Sequence, residues 1–199
     1  MARPAVELVS PYEMRAQFRP LHRRRSRWAI CVSHRRAGKT VACINELIIG
    51  ATMCRRHEPQ FAYIAPKRNQ AKRIAWKYLK SFKRFMPGRR VSETELWVEL
   101  PGGARIEILG ADKPDRLRGM YWDGVVLDEY GDMDPETWTK VIRPALSDRK
   151  GWACFIGTPK GKNHFHRLWA ASDGDPDWYR LELKASGTGL LKAEARSFA

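Results

Sequence analysis

The chain has 199 residues and carries 37 lysines and arginines against 22 aspartates and glutamates, which gives a formal net charge of +15. A hydrophobic fraction of 43% is enough for a domain with its own core, and it excludes an intrinsically disordered chain. The basic balance predicts contact with a polyanion at some stage of the working cycle, whatever the fold.

The cysteines and the apolar runs exclude several other classes. Cys31, Cys43, Cys54 and Cys154 have neither a disulfide-type nor a metal-type spacing, which predicts free thiols in a reducing compartment. No apolar run approaches the roughly 20 residues of a membrane span, so no membrane partner is expected. The N-terminus lacks the apolar segment of a secretion signal. These features predict an intracellular α/β protein.

The first predicted elements are a short helix, a strand and a buried helix. Ser10-Pro11-Tyr12-Glu13 has the pattern of a capping box and predicts a short helix that ends near Pro20. The apolar run 28–32 predicts a buried strand. A nearly all-apolar segment, 38–49, then predicts a helix that packs against a sheet and ends at Gly50.

The clearest helical period follows a second buried strand, which is predicted over 61–65. Apolar residues that recur at steps of three and four share one face of this helix: Ala71, Ile74, Ala75, Tyr78, Leu79, Phe82, Phe85 and Met86. The opposite face is basic and carries Lys72, Arg73, Lys77, Lys80, Lys83 and Arg84.

The next part of the chain alternates strands with a helix. Pro101-Gly102-Gly103 predicts the turn of a β-hairpin, and Asp134-Pro135 predicts the start of a helix that runs to about Arg143. This alternation favours a mostly parallel central sheet with helices on both faces, whose ligands bind beyond the carboxyl ends of the strands. The remaining strands are predicted over 96–100, 105–109, 125–127 and 152–156.

One loop between a predicted strand and a predicted helix carries a phosphate-binding pattern: Ser33-His34-Arg35-Arg36-Ala37-Gly38-Lys39-Thr40. It matches G-x-x-x-x-G-K-[ST], except that Ser33 replaces the first glycine. The backbone N–H groups of the loop would hold phosphate oxygens, Lys39 would add a positive charge, and Thr40 would offer its hydroxyl to Mg²⁺. A second Gly-Lys pair, Gly161-Lys162, has the wrong spacing and lacks the hydroxyl residue, so it is not predicted to bind phosphate.

Two adjacent acids, Asp128 and Glu129, follow the apolar run 125–127. On their own they could simply end a strand. Beside a phosphate loop, we predict that Asp128 holds Mg²⁺ together with Thr40 and that Glu129 activates the attacking water. Three further acids could extend the pair into a two-metal nuclease site, although helix capping and first-turn charge explain the last two better: Asp132, Asp134 and Glu136.

In the order and spacing of its motifs, the chain resembles the ATPase domain of tailed-bacteriophage large terminases from about Pro11 to Leu183. The motifs are the loop 34–40, Tyr63-Ile64-Ala65-Pro66 with Asn69-Gln70-Ala71, Leu117-Arg118-Gly119, Val126-Leu127-Asp128-Glu129-Tyr130 and Ile156-Gly157-Thr158-Pro159-Lys160-Gly161. The resemblance implies a three-layer P-loop NTPase of the additional-strand (ASCE) type. It also implies that ATP and Mg²⁺ are bound and that ATP hydrolysis drives double-stranded DNA into a viral procapsid.

The resemblance further implies roles for single residues. Arg35 would contact the γ-phosphate, and Arg118 would reach the nucleotide of a neighbouring subunit as an arginine finger, with Arg116 as the alternative. Thr158 would couple hydrolysis to DNA movement. Gln17 would read the adenine base.

By the same resemblance, the partners would be double-stranded DNA, other copies of the chain in a ring, the capsid portal and the small terminase subunit. The place of action would be the cytoplasm of an infected bacterial host, with ATPase activity only in the ring. The helix face described above and the arginines upstream of the loop could contact DNA, face the portal or be solvated. These arginines are Arg23, Arg24, Arg25 and Arg27.

Large terminases join such a domain to a nuclease. We therefore expect an ATPase domain over 1–185 and a tail over 186–199 without the nuclease, whether excised or naturally separate. Two other functions remain open. A helicase-like ATPase would need a second motor domain, and a non-catalytic nucleotide- or DNA-binding assembly module would release no phosphate.

Overall fold

The computed structural model describes residues 12–82 and 88–188, and eight strands in these ranges form one sheet. They are β1 (Trp28–Ser33), β2 (Gln60–Ala65), β3 (Arg90–Ser92), β4 (Trp97–Glu99), β5 (Arg105–Gly110), β6 (Gly124–Asp128), β7 (Trp152–Gly157) and β8 (Trp178–Leu183). The spatial order is β3-β4-β5-β2-β6-β7-β1-β8. The six strands from β5 to β8 in this order are parallel, whereas β3, β4 and β5 pair antiparallel. The predicted parallel sheet and the β4–β5 hairpin are confirmed.

Two helices contain π-helical turns. Helix α3 runs through Arg68–Ala71, a π turn over Lys72–Trp76, and Lys77–Ser81, while α4 runs through a π turn over Thr137–Ile142 and then Arg143–Ser147. The other helices are α1 (Arg19–Arg23), α2 (Lys39–Met53), α5 (His164–Ala171) and α6 (Ala185–Thr188). Single 3₁₀ turns cover Ala16–Phe18, Pro114–Leu117 and Tyr130–Asp132.

The sheet carries a separate apolar layer on each face. One layer joins α1, α2 and α3 to the sheet, and the other joins α4 and α5 to it. This arrangement confirms the three-layer architecture expected from strands that alternate with helices. Cys31, Cys43 and Cys154 are buried in the first layer as free thiols. Among the described residues, no helix is long and apolar enough to cross a bilayer.

Three predicted helix ends are wrong, and the first is that of α4, which continues past Arg143 to Ser147. Pro20 lies in the first turn of α1, where its missing N–H needs no partner, so it opens a helix that was expected to end there. Helix α2 continues past Gly50 to Met53. A Cβ on Gly50 would lie 3.1 Å from Phe61 and 3.3 Å from Trp152, so this glycine permits close packing of α2 on the sheet and does not end the helix.

The predicted apolar face of α3 is partly wrong. Tyr78 is 42% exposed, whereas Trp76 is buried and donates a hydrogen bond from its indole N–H to Glu93 at 2.8 Å. The π turn inserts extra backbone into the helix, which rotates the side chains that follow it relative to a regular 3.6-residue period. Several predicted positions lie outside the described residues: Ser10, Pro11, Lys83, Arg84, Phe85, Met86 and the part of the predicted tail from 189 on.

Candidate nucleotide-binding site

The phosphate loop connects β1 to α2, at the carboxyl edge of the parallel strands. Ser33 is the last residue of β1 and has an extended backbone, so the position of the usual first glycine needs no positive φ here. The sharp turn falls later, because Arg36 has a φ of 65° and Gly38 a φ of 94°. Ala37 between them is fully buried. These turns lead directly into the first N–H groups of α2, which point away from the helix as an anion site requires.

Arg15, which the sequence analysis did not single out, braces this loop. Its Nη1 donates a hydrogen bond to the carbonyl oxygen of Ala37 at 3.0 Å and would lie 3.0 Å from a Cβ on Gly38. Glycine is therefore required at position 38 by both its backbone conformation and the available space. No local motif marks an arginine so far upstream in the sequence.

A cavity of about 380 Å³ opens beside the start of α2 and is lined by Arg15, Gly38, Val41, Asn45 and Tyr78, among others. Because this cavity adjoins the phosphate loop, it could hold the nucleoside part of a nucleotide whose phosphates bind the loop. Gln17, the residue expected to read adenine, is not among the residues that line it.

The structure brings Lys39 and the two acids together, as their positions at strand ends predicted. Lys39 is 8% exposed, and its Nζ lies 3.4 Å from Glu129 Oε1 and 3.1 Å from Thr158 Oγ1. Glu129 has a left-handed backbone with a φ of 48°, a strained conformation for a non-glycine residue. This turn after β6 aims the Glu129 carboxylate at the phosphate loop instead of the opposite face of the sheet.

Asp128 is buried, and its hydrogen-bond donors among residues 12–82 and 88–188 are neutral: the Tyr63 hydroxyl on Oδ2 and the Glu129 backbone N–H on Oδ1 at 3.0 Å. Burial raises the pKa of Asp128 to about 6, and the Glu129 carboxylate adds to this rise. The hydrogen bond from Tyr63 and the charge of Lys39 oppose the rise only in part. In the part of the chain that the structure describes, no cation therefore contacts the buried Asp128 carboxylate directly.

The donor chemistry at this point fits Mg²⁺. Mg²⁺ prefers carboxylate, hydroxyl and phosphate oxygens, and it keeps several waters. The Asp128 carboxylate and the Thr40 side chain both approach the Tyr63 hydroxyl, so these two oxygen donors lie close together at the end of β6 and the start of α2. A cation here would also supply the positive charge that buried Asp128 lacks.

The segment after β7 contacts the Glu129 carboxylate through Thr158 and Lys160. The backbone N–H and hydroxyl of Thr158 each lie 3.4 Å from a Glu129 carboxylate oxygen. Lys160, whose role the sequence analysis did not identify, places its Nζ 2.5 Å from Asp132 and 3.8 Å from Glu129. The Asp132 hydrogen bond raises the pKa of Lys160, so this lysine stays charged beside the two acids.

The acids beyond Glu129 have structural partners. Asp134 Oδ1 accepts the backbone N–H of Glu136 at 2.8 Å, which confirms the predicted cap, and Glu136 pairs with Lys140 at 2.7 Å. Asp132 contacts Lys160. Within residues 12–82 and 88–188, no group of three or more His, Cys, Asp or Glu side chains could hold a metal ion, so the geometry does not favour a two-metal nuclease site.

The predicted arginines fall into exposed and internal groups. Arg35 and Arg36 are exposed on the phosphate loop, and Arg118 is 67% exposed with an ion pair to Asp115 at 3.2 Å. Arg116 is also exposed and lines a separate cavity of about 770 Å³ near the end of β5. His34 Nδ1 donates to the Arg35 carbonyl oxygen at 2.6 Å.

Two arginines offered as DNA contacts are used inside the protein, so that prediction is wrong for them. Arg24 forms an ion pair with Glu46, and its side chain is only 6% exposed. Arg27 donates to the carbonyl oxygens of Gly151 and Leu146 at 2.8 and 3.2 Å. Arg23 and Arg25 remain exposed.

These features define the class of the protein. The phosphate loop joins β1 to α2, and the two acids follow β6. One further strand, β7, lies between β1 and β6 in the sheet. This is the P-loop NTPase fold of the additional-strand type. A sequence profile described as terminase large subunit, T4likevirus-type, N-terminal, matches residues 30–178, and the chain belongs to this family. The resemblance predicted from the motifs is confirmed.

Similar proteins agree with this assignment. The terminase large subunit of Thermus phage G20c is 31% identical over 168 residues, which cover 75% of this chain and 34% of that protein. The chain therefore spans about a third of the length of the curated relatives it matches.

Solved structures show the same fold at lower sequence identity. The large terminase ATPase domain of Thermus phage P74-26 superposes with a TM-score of 0.75 and 23% identity, covering 94% of this chain and 86% of that one. The large terminase of another thermophilic bacteriophage, solved in complex with ADP, gives a TM-score of 0.69 at 18% identity, covering 92% of this chain and 48% of that one.

Proposed function

We propose that this chain hydrolyses ATP with Mg²⁺ and that hydrolysis drives double-stranded DNA into a viral procapsid. The observation that carries the proposal is the convergence of Lys39, Glu129 and Thr158 beside the buried carboxylate of Asp128. The ADP complex of the thermophilic bacteriophage terminase, which has the same fold, supports a nucleotide as the ligand.

Nucleotide binding must break the Lys39–Glu129 ion pair. The 3.4 Å contact leaves no room for a phosphate between the two side chains. Lys39 would therefore leave the Glu129 carboxylate and contact the β- and γ-phosphate oxygens of the nucleotide. Arg35 is exposed on the phosphate loop, four residues before Lys39, and its positive charge would contact the γ-phosphate. The exchange releases Glu129 to accept a proton from the attacking water.

Thr40 and Asp128 would hold Mg²⁺, which neutralises charge on the phosphates when bound. Thr158 would hydrogen-bond to Glu129 or to Lys39 according to whether nucleotide is present, since its hydroxyl contacts both now. The segment after β7 is therefore placed to respond to the nucleotide state, which is the coupling role proposed for Thr158.

The direct test is phosphate release from ATP with and without Mg²⁺ and DNA, across a range of protein concentrations. Lys39→Ala is expected to abolish nucleotide binding. Lys162→Ala is the matched control, because Lys162 is an exposed lysine of the second Gly-Lys pair and should leave binding unchanged. ATP binding without phosphate release at any concentration, with DNA present, would favour a non-catalytic assembly module.

We further propose that activity requires a ring in which Arg118 serves the neighbouring site. Its side chain is largely exposed, and its ion-pair partner within the described ranges is the exposed Asp115, so it is available to a second copy of the chain. Arg118→Ala should bind ATP normally but lose concentration-dependent turnover. Mixing it with Lys39→Ala should restore part of the turnover, because an intact site then meets an intact arginine. The same mixture with Arg116→Ala identifies which arginine acts, and no recovery with either counts against a finger in trans.

The exposed cations of α3, Lys72, Arg73 and Lys77, are proposed to contact the DNA backbone. Such contacts are independent of base sequence and weaken as salt rises. Replacing all three with alanine should reduce the slope of log affinity against log salt by about 2 to 3 units, since each phosphate contact contributes about 0.9. An unchanged slope would assign DNA binding to another surface.

The remaining partners follow from the family resemblance alone. We propose that the chain forms an ATPase domain over 1–185, acts in the cytoplasm of an infected bacterial host, and contacts the capsid portal and the small terminase subunit. Co-purification with each of these two proteins, with and without ATP, is the direct check.

A further inference from the structure

Tyr63 occupies an unusual position between the two residues proposed to hold Mg²⁺. It lies in the middle of β2 and is 1% exposed, and parallel pairing places it opposite Val126, two residues before Asp128. Side chains two residues apart on a strand share one face, so Tyr63 and Asp128 both face α2. Their common neighbour on that helix is Thr40, whose side chain lies close enough to the Tyr63 hydroxyl to lower its pKa against the effect of burial.

The Tyr63 hydroxyl donates its single proton to Asp128 Oδ2, so the Tyr63 oxygen keeps its lone pairs as acceptors. Thr40 lies beside this oxygen and has a hydroxyl proton to donate to it, which would leave the lone pairs of the Thr40 oxygen for a cation.

We propose that Tyr63 is a positioning residue that orients Asp128 as a preformed Mg²⁺ ligand beside Thr40. The proposal rests on the proposed function, because it requires the nucleotide to bind with Mg²⁺ at these two residues. Hydrogen-bond partners behind metal ligands fix ligand orientation, and their loss typically costs about 10- to 100-fold in metal affinity. Tyr63 itself would touch neither the metal nor the nucleotide.

The test measures equilibrium binding of a fluorescent ADP analogue to the full chain in EDTA and at increasing Mg²⁺ concentrations. Tyr63→Phe keeps the ring in the core and removes only the hydroxyl. It is expected to bind the analogue within about twofold of wild type in EDTA, but to need about 10-fold more Mg²⁺ for half-maximal effect. Tyr179→Phe is the matched control, since it removes a partly buried hydroxyl from β8 and should leave the Mg²⁺ requirement unchanged.

An unchanged Mg²⁺ requirement in Tyr63→Phe overturns the inference, as does an equal loss of affinity with and without Mg²⁺. Melting temperatures of both variants without nucleotide separate a folding defect from a metal defect. A wild-type chain whose nucleotide binding ignores Mg²⁺ would refute the proposed function itself.

Discussion

Two buried aspartates flank the same strand and differ in what surrounds them. Asp123 precedes β6 and accepts hydrogen bonds from two cations, Arg56 at 2.8 Å and Arg149 at 3.1 Å, and from the backbone N–H of Gln60 at 2.9 Å. Asp128 ends β6, and its hydrogen-bond donors among the described residues are neutral, while Lys39 contacts the neighbouring Glu129 instead.

The difference separates an acid that the protein itself compensates from the acid that we propose to bind a cation. Burial is nearly the same, 5% exposed for Asp123 and 2% for Asp128, so burial alone does not identify the site. The charge of Asp123 is neutralised by two arginines of the chain. Its hydrogen bonds connect the amino ends of β2 and β6 to the segment before β7. Asp128 lacks a direct counter-charge, which is the condition expected of a carboxylate that binds a cation from solution.

The largest expected effect is on turnover. Asp128→Asn should lower Mg²⁺-dependent ATP hydrolysis at least about 100-fold, because it removes a proposed metal ligand. Asp123→Asn should retain the wild-type rate at a temperature where it is folded. Phosphate release from the two variants side by side provides the measurement, and similar losses in both would remove the distinction between the two acids.

The second prediction concerns pH and stability without Mg²⁺ or nucleotide. The folded chain holds the Asp128 proton more tightly than the unfolded chain, since the pKa rises from 3.8 to about 6. Stability should therefore fall as pH rises from about 4 to 7, by up to about 3 kcal/mol from this group. Asp128→Asn should lack this slope in urea unfolding across that range. Parallel pH profiles for the variant and the wild type would show that Asp128 is not a strained carboxylate.

The third prediction is a loss of stability at Asp123. Asp123→Asn should lower the free energy of unfolding by about 2 to 3 kcal/mol, because it leaves two arginines without their shared carboxylate. For a chain of this length the melting temperature should fall by roughly 5 to 10 °C. Thermal denaturation checks this directly. A fall no larger than that of Asp128→Asn would contradict the structural role.

The smallest predicted effect is on nucleotide affinity. Glu129→Gln removes the carboxylate that Lys39 must leave, so nucleotide should bind about 3- to 10-fold more tightly, on the order of 1 kcal/mol, while turnover is lost. Glu136→Gln is the control, because that acid pairs with Lys140 on the exposed surface. Weaker binding by Glu129→Gln would mean that the ion pair does not compete with the nucleotide.

Much of the candidate site could be predicted because its motifs are local. The loop 33–40 and the Asp128–Glu129 pair each occupy consecutive residues that follow apolar strands, and parallel strand ends meet at one edge. Arg15, Tyr63 and Lys160 were missed as site residues because their roles depend on contacts with distant segments. The sequence signal for Tyr63 is a hydroxyl inside the otherwise apolar run 61–65, since a buried hydroxyl needs a hydrogen-bond partner.

The errors have the same origin. Gly50 is a typical helix-ending residue, yet its place in α2 is decided by Phe61 and Trp152 on the sheet. Arg24 and Arg27 belong to a basic run, and only packing shows that they bind Glu46 and backbone carbonyls. The exposed face of α3 depends on a π turn that a period of 3.6 residues does not predict.

The sequence by itself determined the fold class, the phosphate loop and the acids that end β6, because strand periodicity and contiguous motifs are properties of neighbouring residues. Only the tertiary structure decided which buried acid is compensated, which arginines are internal, and that Tyr63 hydrogen-bonds to Asp128. These features depend on contacts between side chains that are far apart in the chain. Such contacts form only when the helices pack on the two faces of the sheet.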